Sequence, residues 1–138
     1  MYRDGLDIRV HPPVDDAALL ALHARAFGNP YTGPPQPCGR RLARHSLTWV
    51  GAFVDGDVLV GLLHAVWDGS AHAFLLDTVV DPAPQRRGIR ATLVRTLAAE
   101  AAAAGCEWLH VDHEPHLTGF YRDACDFQPT DAGVLRLR

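Results

Sequence analysis

The stretch from residue 74 to residue 111 places the strongest constraint on the fold. A strand-like apolar run at 74–80 precedes a glycine-containing turn, which leads into a helix-like run at 92–104 and a second strand-like run, Trp108–Val111. Because a helix-length connection joins the two strand-like runs, they are predicted to be parallel neighbours in one sheet. The chain is therefore expected to contain a strand-helix-strand unit.

The turn inside this unit has the composition of a phosphate-binding loop. It reads Gln85-Arg86-Arg87-Gly88-Ile89-Arg90-Ala91. Amide groups in the first turn of a helix lack intrahelical acceptors, and the peptide dipoles add about half a positive charge there. The three arginines add full positive charges. We therefore predict that the turn binds phosphate. The alternative is an ordinary loop with solvated arginines.

The rest of the chain extends this unit into a mixed α/β order. The pattern predicts a strand and a helix, then three antiparallel strands of which two are joined at Asp55-Gly56-Asp57, a strong hairpin signal. A further helix at 115–125 and one or two terminal strands at 127–138 follow the strand-helix-strand unit. Gly61, inside a strand run, indicates a bulge or a close backbone contact. The proline-rich loop at 28–39 is either a surface connection or a roof over a substrate pocket.

Three segments resemble the GNAT superfamily of N-acetyltransferases. Gln85-x-x-Gly88-x-Arg90-Ala91, placed between a strand and a helix, is similar to the acetyl-CoA signature Q/R-x-x-G-x-G/A. Residues 120–127, Phe-Tyr-Arg-Asp-Ala-Cys-Asp-Phe, resemble the ending F-Y-x-x-x-G-F, and residues 55–62 resemble the central hairpin of the family. The resemblance covers roughly residues 48–127, and the length of the chain predicts one domain over residues 1–138. The fold that the resemblance implies is α/β, with a mixed, mostly antiparallel central sheet and flanking helices.

The resemblance also implies a cofactor and its binding residues. Acetyl-CoA would be the acetyl donor, and no metal would be needed. Its phosphates would lie on residues 85–91, and its pantetheine arm would enter a cleft between separated fourth and fifth strands. There it would pair with the backbone of Val79 and Val80, whose amide groups would also polarise the thioester carbonyl. Tyr121 resembles the general acid that protonates the leaving thiolate.

Two positions depart from the family pattern. Arg90 occupies the last motif position, usually Gly or Ala, where it either weakens phosphate binding or reaches a phosphate itself. In the C-terminal motif, Asp126 replaces the usual Gly, and Tyr121 lies five residues before it instead of four. Tyr121 is therefore either the general acid or an aromatic that packs beside Phe120.

Acetyl transfer to an amine also requires a base. Asp77 is the first candidate, because a lone acid in an apolar strand would have its pKa raised by desolvation. The alternative is an acid on a solvated face of the sheet. A second set of ionisable residues lies at the end of the predicted fifth strand and offers either further bases or, as another alternative, a metal site. It consists of His110, Asp112, His113, Glu114 and His116.

Composition restricts the class of partner. The formal charge of −3 and the pI of about 6.2 argue against a nucleic-acid coat. No apolar run has the length of a membrane span and no signal peptide is visible, so a cytoplasmic protein is expected. Three widely spaced cysteines indicate reduced thiols. The predicted partners are a small-molecule or peptide amine acceptor and, as an option, a second copy of the chain in a homodimer; acidic residues near the cleft favour a cationic amine.

These observations lead to one principal functional hypothesis. The chain is expected to transfer an acetyl group from acetyl-CoA to a primary amine, which attacks the thioester directly. Because Arg90 and Tyr121 depart from the family pattern, a non-catalytic acyl-CoA-binding module is the alternative. A metal-dependent enzyme built on the histidine-rich segment is a third hypothesis.

Overall fold

The computed structural model describes residues 5–28, 37–83 and 88–138. In this part of the chain, five strands form one sheet in the order β1-β2-β3-β4-β5. All neighbours are antiparallel except β4 and β5, which are parallel. The predicted mixed, mostly antiparallel sheet is confirmed. The elements are β1 (Asp7–Val10), α1 (Asp16–Phe27), α2 (Cys38–His45), β2 (Thr48–Val54), β3 (Val58–Trp67), β4 (His72–Val80), α3 (Ile89–Ala103), β5 (Trp108–Val111), a 3₁₀ turn (Pro115–Leu117) and a π-helical turn (Phe120–Ala124).

Local sequence signals define the ends of the long helices. The Asp15 carboxylate caps α1 by accepting a hydrogen bond of 2.9 Å from the amide of Ala18, and α1 ends at Gly28, where φ is 72°. Gly88 precedes α3 with φ of 84°, and Gly105 follows it with φ of 102°. These glycines adopt the left-handed conformation at little steric cost. No helix in the described ranges has the length and apolar character that crossing a bilayer requires.

Helices cover both faces of the sheet, and each face has its own apolar core. On one face, α3 packs against β2, β3 and β4 through Leu93, Val94 and Leu97, which are at most 1% exposed. On the other face, Leu22 of α1 and Leu42 of α2 pack against the same three strands. The strands on this second face contribute Phe53, Leu59, Leu62 and Val79.

Gly61 lies at a bulge in β3, as its position in a strand run predicts. Val60 is the extra residue, because Ala52 pairs with Gly61 while Phe53 pairs with Leu59. A Cβ atom on Gly61 would lie 2.8 Å from Cδ1 of Leu93. The glycine therefore allows α3 to approach the sheet closely, so both predicted features, the bulge and the close contact, are present.

A second bulge interrupts β4. Leu62 pairs with Val79 and His64 pairs with Leu76, so Leu63 alone faces both Asp77 and Thr78. Asp77 is the strained residue, with φ of 55°. The extra residue changes the direction in which the following side chains point. Leu75 and Val79 are four residues apart and would point to the same face of a regular strand. Here Leu75 packs in the α3 core and Val79 packs in the opposite core.

The prediction of terminal strands at residues 127–138 is wrong. The structure assigns no strand to this segment, and β5 is an edge strand. The apolar residues of the terminal segment, Val134, Leu135 and Leu137, are 82–86% exposed, so they do not pack against the sheet. Pro129 cannot donate a ladder hydrogen bond, and Gly133 disfavours a strand. The segment has strand-like composition at its end but no strand partner within the described residues.

Candidate active site

A cleft opens where β4 and β5 separate. Their pairing ends at Leu75 and Val111, whereas β4 continues to Val80. The expected separation of the fourth and fifth strands is therefore present. A cavity of about 390 Å³ lies beside the unpaired end of β4 and reaches the start of α3. We call it the β4–α3 cavity; its lining includes Val79, Val80, Gly88, Arg90, Ala91 and Phe120.

The start of α3 gives this cavity a positive end. Gly88 occupies the N-cap, and the side chain of Ile89 is buried below it. Arg90 is half-buried, and its guanidinium carbon lies 5.9 Å from the ring centre of Phe120. Because Arg90 lines the cavity, its charge is available to an anion there. The predicted cofactor residues Gln85, Arg86 and Arg87 lie outside the described residues.

A second cavity lies on the other side of the β4 bulge. It has a volume of about 310 Å³ and is bounded by α1, α2, β3 and β4. We call it the α1–α2 cavity. Phe27, Thr78 and Val79 line both cavities. The two spaces are thus separated only by the bulged end of β4 and the end of α1. A ligand in one would lie next to a ligand in the other.

Asp77, the predicted base, lies in the α1–α2 cavity and is paired with a histidine. Its Oδ2 atom is 2.8 Å from Nε2 of His64, whose Nδ1 atom is 3.0 Å from the hydroxyl of Ser46. His64 projects from β3 and Ser46 follows the end of α2. When the imidazole carries its proton on Nε2, it donates to Asp77 and accepts from Ser46. When it carries both protons, Ser46 becomes the acceptor.

The expectation of a raised pKa at Asp77 is wrong. The hydrogen bond from His64 lowers the pKa of Asp77 and outweighs the opposing effect of burial. The side chain is also 72% exposed, so water contributes to the solvation of its charge. Asp77 is accordingly a carboxylate at neutral pH, hydrogen-bonded to the His64 imidazole.

Thr78, beside Asp77 in the bulge, has a hydroxyl with unused hydrogen-bonding capacity. Its Oγ1 atom is buried and has no hydrogen-bond partner among the residues that the structure describes. Burying a hydroxyl without a partner costs about 1–3 kcal/mol. Thr78 lines both cavities, but its Oγ1 atom has almost no exposed surface, so the side chain must rotate before a ligand that bridges them supplies the missing partner.

Cys38, on the wall of the α1–α2 cavity, is a poor candidate for a covalent nucleophile. The thiol is buried, and desolvation raises its pKa. A protonated thiol is a weak nucleophile, because the thiolate is the reactive form. Transfer through an acyl-cysteine is therefore disfavoured at this position.

Tyr121 lies in the core and not in either of these cavities. It is 3% exposed and packs edge-on against Phe120 and Phe127, with ring centres 4.9 Å and 5.5 Å away. The structure does not bring Tyr121 together with Asp77. Tyr121 instead lines a separate cavity beside β5.

The π-helical turn explains the shifted register of the C-terminal motif. A π turn accommodates one residue more than an α-helical turn, and this turn, Phe120–Ala124, contains Tyr121 and ends before Asp126. Asp126 has φ of 62°, the left-handed conformation that glycine usually adopts. Asp126 therefore takes the backbone conformation of the glycine in the family motif, and the extra residue is absorbed before it.

The histidine-rich segment that begins in β5 and continues beyond it, residues 110–116, does not bring its side chains together. His110 contacts His72, with 2.9 Å between ring nitrogens, and stacks on Phe74. His113 stacks on Tyr121. Within residues 5–28, 37–83 and 88–138, no group of three or more His, Cys, Asp or Glu side chains could hold a metal ion. The metal-dependent hypothesis therefore has no supporting site in the described structure.

Sequence reasoning did not identify His64, Ser46 or Thr78. His64 had the same signal as Asp77, since it is a lone ionisable residue in the apolar run of β3. Ser46 and Thr78 had no such signal, because a serine after a helix and a threonine in a strand are ordinary.

Three features together define an acyltransferase class of fold. The strands β4 and β5 separate, helices cover both faces of the sheet, and a glycine turn of the kind that binds phosphate precedes α3. The chain belongs to the acetyltransferase (GNAT) family, whose model matches residues 17–127. None of the curated proteins matches the chain significantly in sequence.

Solved structures agree with this assignment. A GNAT-family acetyltransferase from Streptococcus pneumoniae is 25% identical, with a TM-score of 0.73 and coverage of 96% of this chain and 99% of that chain. A putative acetyltransferase from Agrobacterium tumefaciens is 23% identical, with a TM-score of 0.76 and coverage of 94% and 99%. The aminoglycoside N-acetyltransferase AAC(6')-Iy, solved with CoA, is 20% identical, with a TM-score of 0.75 and coverage of 99% and 97%. The last two likenesses concern the fold alone.

Proposed function

We propose that this protein transfers an acetyl group from acetyl-CoA to a primary amine by direct attack of the amine on the thioester. The observation that carries the proposal is the shared wall of the two cavities, formed by Phe27, Thr78 and Val79. A donor in the β4–α3 cavity and an acceptor in the α1–α2 cavity would meet there, so the reaction would become effectively unimolecular.

In this proposal the β4–α3 cavity holds acetyl-CoA. The pyrophosphate would lie on the turn at residues 85–91, including Gly88, Ile89, Arg90 and Ala91 at the start of α3. The pantetheine arm would follow the unpaired edge of β4 at Val79 and Val80, where no strand competes for the backbone groups in the described structure. A backbone amide at this edge would stabilise the oxyanion formed when the amine attacks.

Asp77 and His64 would act together on the amine. The Asp77 carboxylate attracts the ammonium group of the acceptor into the α1–α2 cavity. The amine then loses its proton to the pair and becomes nucleophilic. The Asp77 carboxylate accepts this proton, directly or through water, while its Oδ2 atom stays hydrogen-bonded to His64 Nε2 and the Ser46 hydroxyl holds the imidazole at Nδ1. The buried, protonated Cys38 takes no acyl group, which supports direct attack over a covalent intermediate.

The thiolate of CoA needs a proton when the acetyl group leaves, and two hydroxyls are candidates. Tyr121 is the candidate from the family motif, but it lies in the core beside Phe127. Thr78 borders both cavities and has an unpaired hydroxyl among the described residues. We therefore assign Thr78, after rotation of its side chain toward the cavities, as the hydroxyl that hydrogen-bonds the leaving thiolate, with the proton delivered by the amine itself or by water.

Two single-atom changes separate these candidates. Thr78→Val should lower kcat by about tenfold or more, yet it should leave the fold equally or more stable, because it removes a buried hydroxyl that lacks a partner. Tyr121→Phe should change kcat by less than about threefold. Steady-state kinetics and denaturant unfolding of both variants measure these effects. A large loss of kcat in Tyr121→Phe with normal CoA affinity would restore Tyr121 as the general acid.

The proposal as a whole is tested by cofactor binding followed by turnover. Acetyl-CoA at a hundred times its dissociation constant should stabilise the fold by about 2.7 kcal/mol, which a thermal melt detects. Incubation with a broad panel of primary amines should then release CoA and give acetylated products by mass spectrometry. Binding without any turnover would favour the alternative, a non-catalytic acyl-CoA-binding module. The absence of binding at millimolar acetyl-CoA would contradict both.

A further inference from the structure

The acceptor-side cavity has an unusual charge distribution for an enzyme that binds amines. Among the described residues that line the α1–α2 cavity, Asp77 is the single carboxylate, whereas Arg41, His23 and His64 are basic. The segment that connects α1 to α2 contains Asn-Pro-Tyr-Thr-Gly-Pro-Pro-Gln at residues 29–36 and therefore has no carboxylate to add. One negative group thus faces several positive or ionisable ones.

Arg41 is the cation with capacity for a ligand. It projects from the exposed side of α2, and no carboxylate within the described ranges forms an ion pair with it. Its charge nevertheless acts inside the cavity: the pKa of Asp77 is lowered mainly by the hydrogen bond from His64 and further by the positive charges of Arg41 and His23. A guanidinium that pairs with no described carboxylate matches a carboxylate ligand in shape and charge, because its planar fork can donate two parallel hydrogen bonds.

The remaining wall is apolar, and the space is small. Leu19, Leu20, Leu42 and Leu62 line it together with Val79. A volume of about 310 Å³ lies at the lower end of the range of about 300–1,000 Å³ for ligand pockets. The cavity therefore suits a compact ligand with an apolar group, and burial of that group would supply most of its binding free energy.

We infer that the acceptor is a small amine that also carries a carboxylate and an apolar side group, the chemistry of a free apolar amino acid. Asp77 would receive the amine, Arg41 the carboxylate, and the leucines the side group. This inference rests on the proposed function and specifies its substrate class. It differs from the cationic amine expected from sequence, because the acidic residues predicted around the cleft do not gather in this cavity.

A polycationic acceptor would fit the same cavity poorly. Each additional ammonium group would meet Arg41 or a histidine, and like charges in contact disfavour a partner by several kcal/mol. Two of the structurally similar proteins are named as aminoglycoside acetyltransferases. The likeness to them is one of fold, and the charges here point to a different acceptor.

The test compares amino acids with their amides. Leucine, methionine and phenylalanine, each with its carboxamide derivative, are assayed with the whole protein and acetyl-CoA, beside neamine as a polycation. The variants are Arg41→Gln and, as the matched control on the same helix, Arg44→Gln. Arg41→Gln should lower kcat/KM for the amino acids by roughly tenfold to a hundredfold, the scale of a hydrogen bond between charged groups, and should leave kcat/KM for the amides nearly unchanged. Arg44→Gln should change neither. Comparing variants cancels the difference in amine basicity between acid and amide.

Calorimetry with the protein–CoA complex decides the inference independently of turnover. Binding of the amino acids that weakens in Arg41→Gln supports it, even if no acetylation is seen; in that case only the proposed function fails. Failure of every amino acid to bind, an equal loss for acids and amides in Arg41→Gln, or neamine as the best acceptor would overturn the inference while leaving acetyl transfer itself intact.

Discussion

Replacing Asp77 with asparagine, or His64 with glutamine, should lower kcat by about a hundredfold or more, the usual scale for loss of a general base. Each change removes one member of the pair joined by the 2.8 Å contact. Asparagine tolerates the left-handed backbone at Asp77, so the bulge should persist. Steady-state kinetics under saturating acetyl-CoA measure the effect. The melting temperature shift caused by CoA should be retained in both variants, because neither residue lines the β4–α3 cavity.

His45→Gln is the matched control for the histidine change. His45 is exposed at the end of α2 and does not line the α1–α2 cavity. Its replacement should leave kcat within about twofold of the parent, since surface substitutions away from a site have small effects. If Asp77→Asn and His64→Gln both retain more than about a third of the parental kcat while chemistry limits the rate, the pair is not the base.

Replacing Gly88 with valine should abolish the stabilisation by acetyl-CoA, a loss of about 2.7 kcal/mol at a hundred times the parental dissociation constant. Gly88 has φ of 84° at the N-cap of α3 and lines the β4–α3 cavity. A β-branched residue is strained in that conformation, and its side chain would also stand where a phosphate must approach the backbone. Thermal melts with and without acetyl-CoA, supported by calorimetry, give the result.

Gly105→Val controls for the backbone strain. Gly105 lies just beyond the other end of α3 with φ of 102°, and a Cβ atom there would meet nothing within 4 Å. Both variants should lose stability through strain, but only Gly88→Val should lose the response to acetyl-CoA. An unchanged response in Gly88→Val would mean that the turn is a loop without a cofactor role.

Local patterns were sufficient to predict most of the architecture. Alternating apolar residues and the Asp55-Gly56-Asp57 turn predicted three antiparallel strands in succession, and the helix-length connection predicted that β5 lies parallel to β4. The place of β1 beside β2 was not predicted. Gly61 also indicated its bulge correctly. These features depend on neighbours in sequence or on a single close contact, so the chain itself carries the information. The prediction of terminal strands failed for the opposite reason. A strand requires a partner strand, and Val134 and Leu137 have strand-like composition but are exposed and have no partner strand within the described residues.

The candidate site was only partly predictable. Asp77 and the turn that contains Gly88 could be recognised because each has a local signal. The pairing of Asp77 with His64 could not, since it depends on a register shift in which one residue of β3 faces two of β4. The core position of Tyr121 likewise depends on a π-helical turn, for which the sequence has no local signal. The environment of an ionisable group, and hence the direction of its pKa shift, is a property of the assembled sheet.

The bulge in β4 has a further consequence for how such a site can change. A regular strand alternates its side chains between two layers, so inserting or deleting one residue exchanges the layers for everything downstream. In this strand the extra residue allows Leu75 and Val79 to serve opposite cores. A library that varied only residue types would keep this alternation of side chains between the two cores. Deletion of Asp77 would instead reverse the alternation for Thr78, Val79 and Val80 together. Strand length at this point therefore determines which side chains face each of the two cavities as directly as the residue types do.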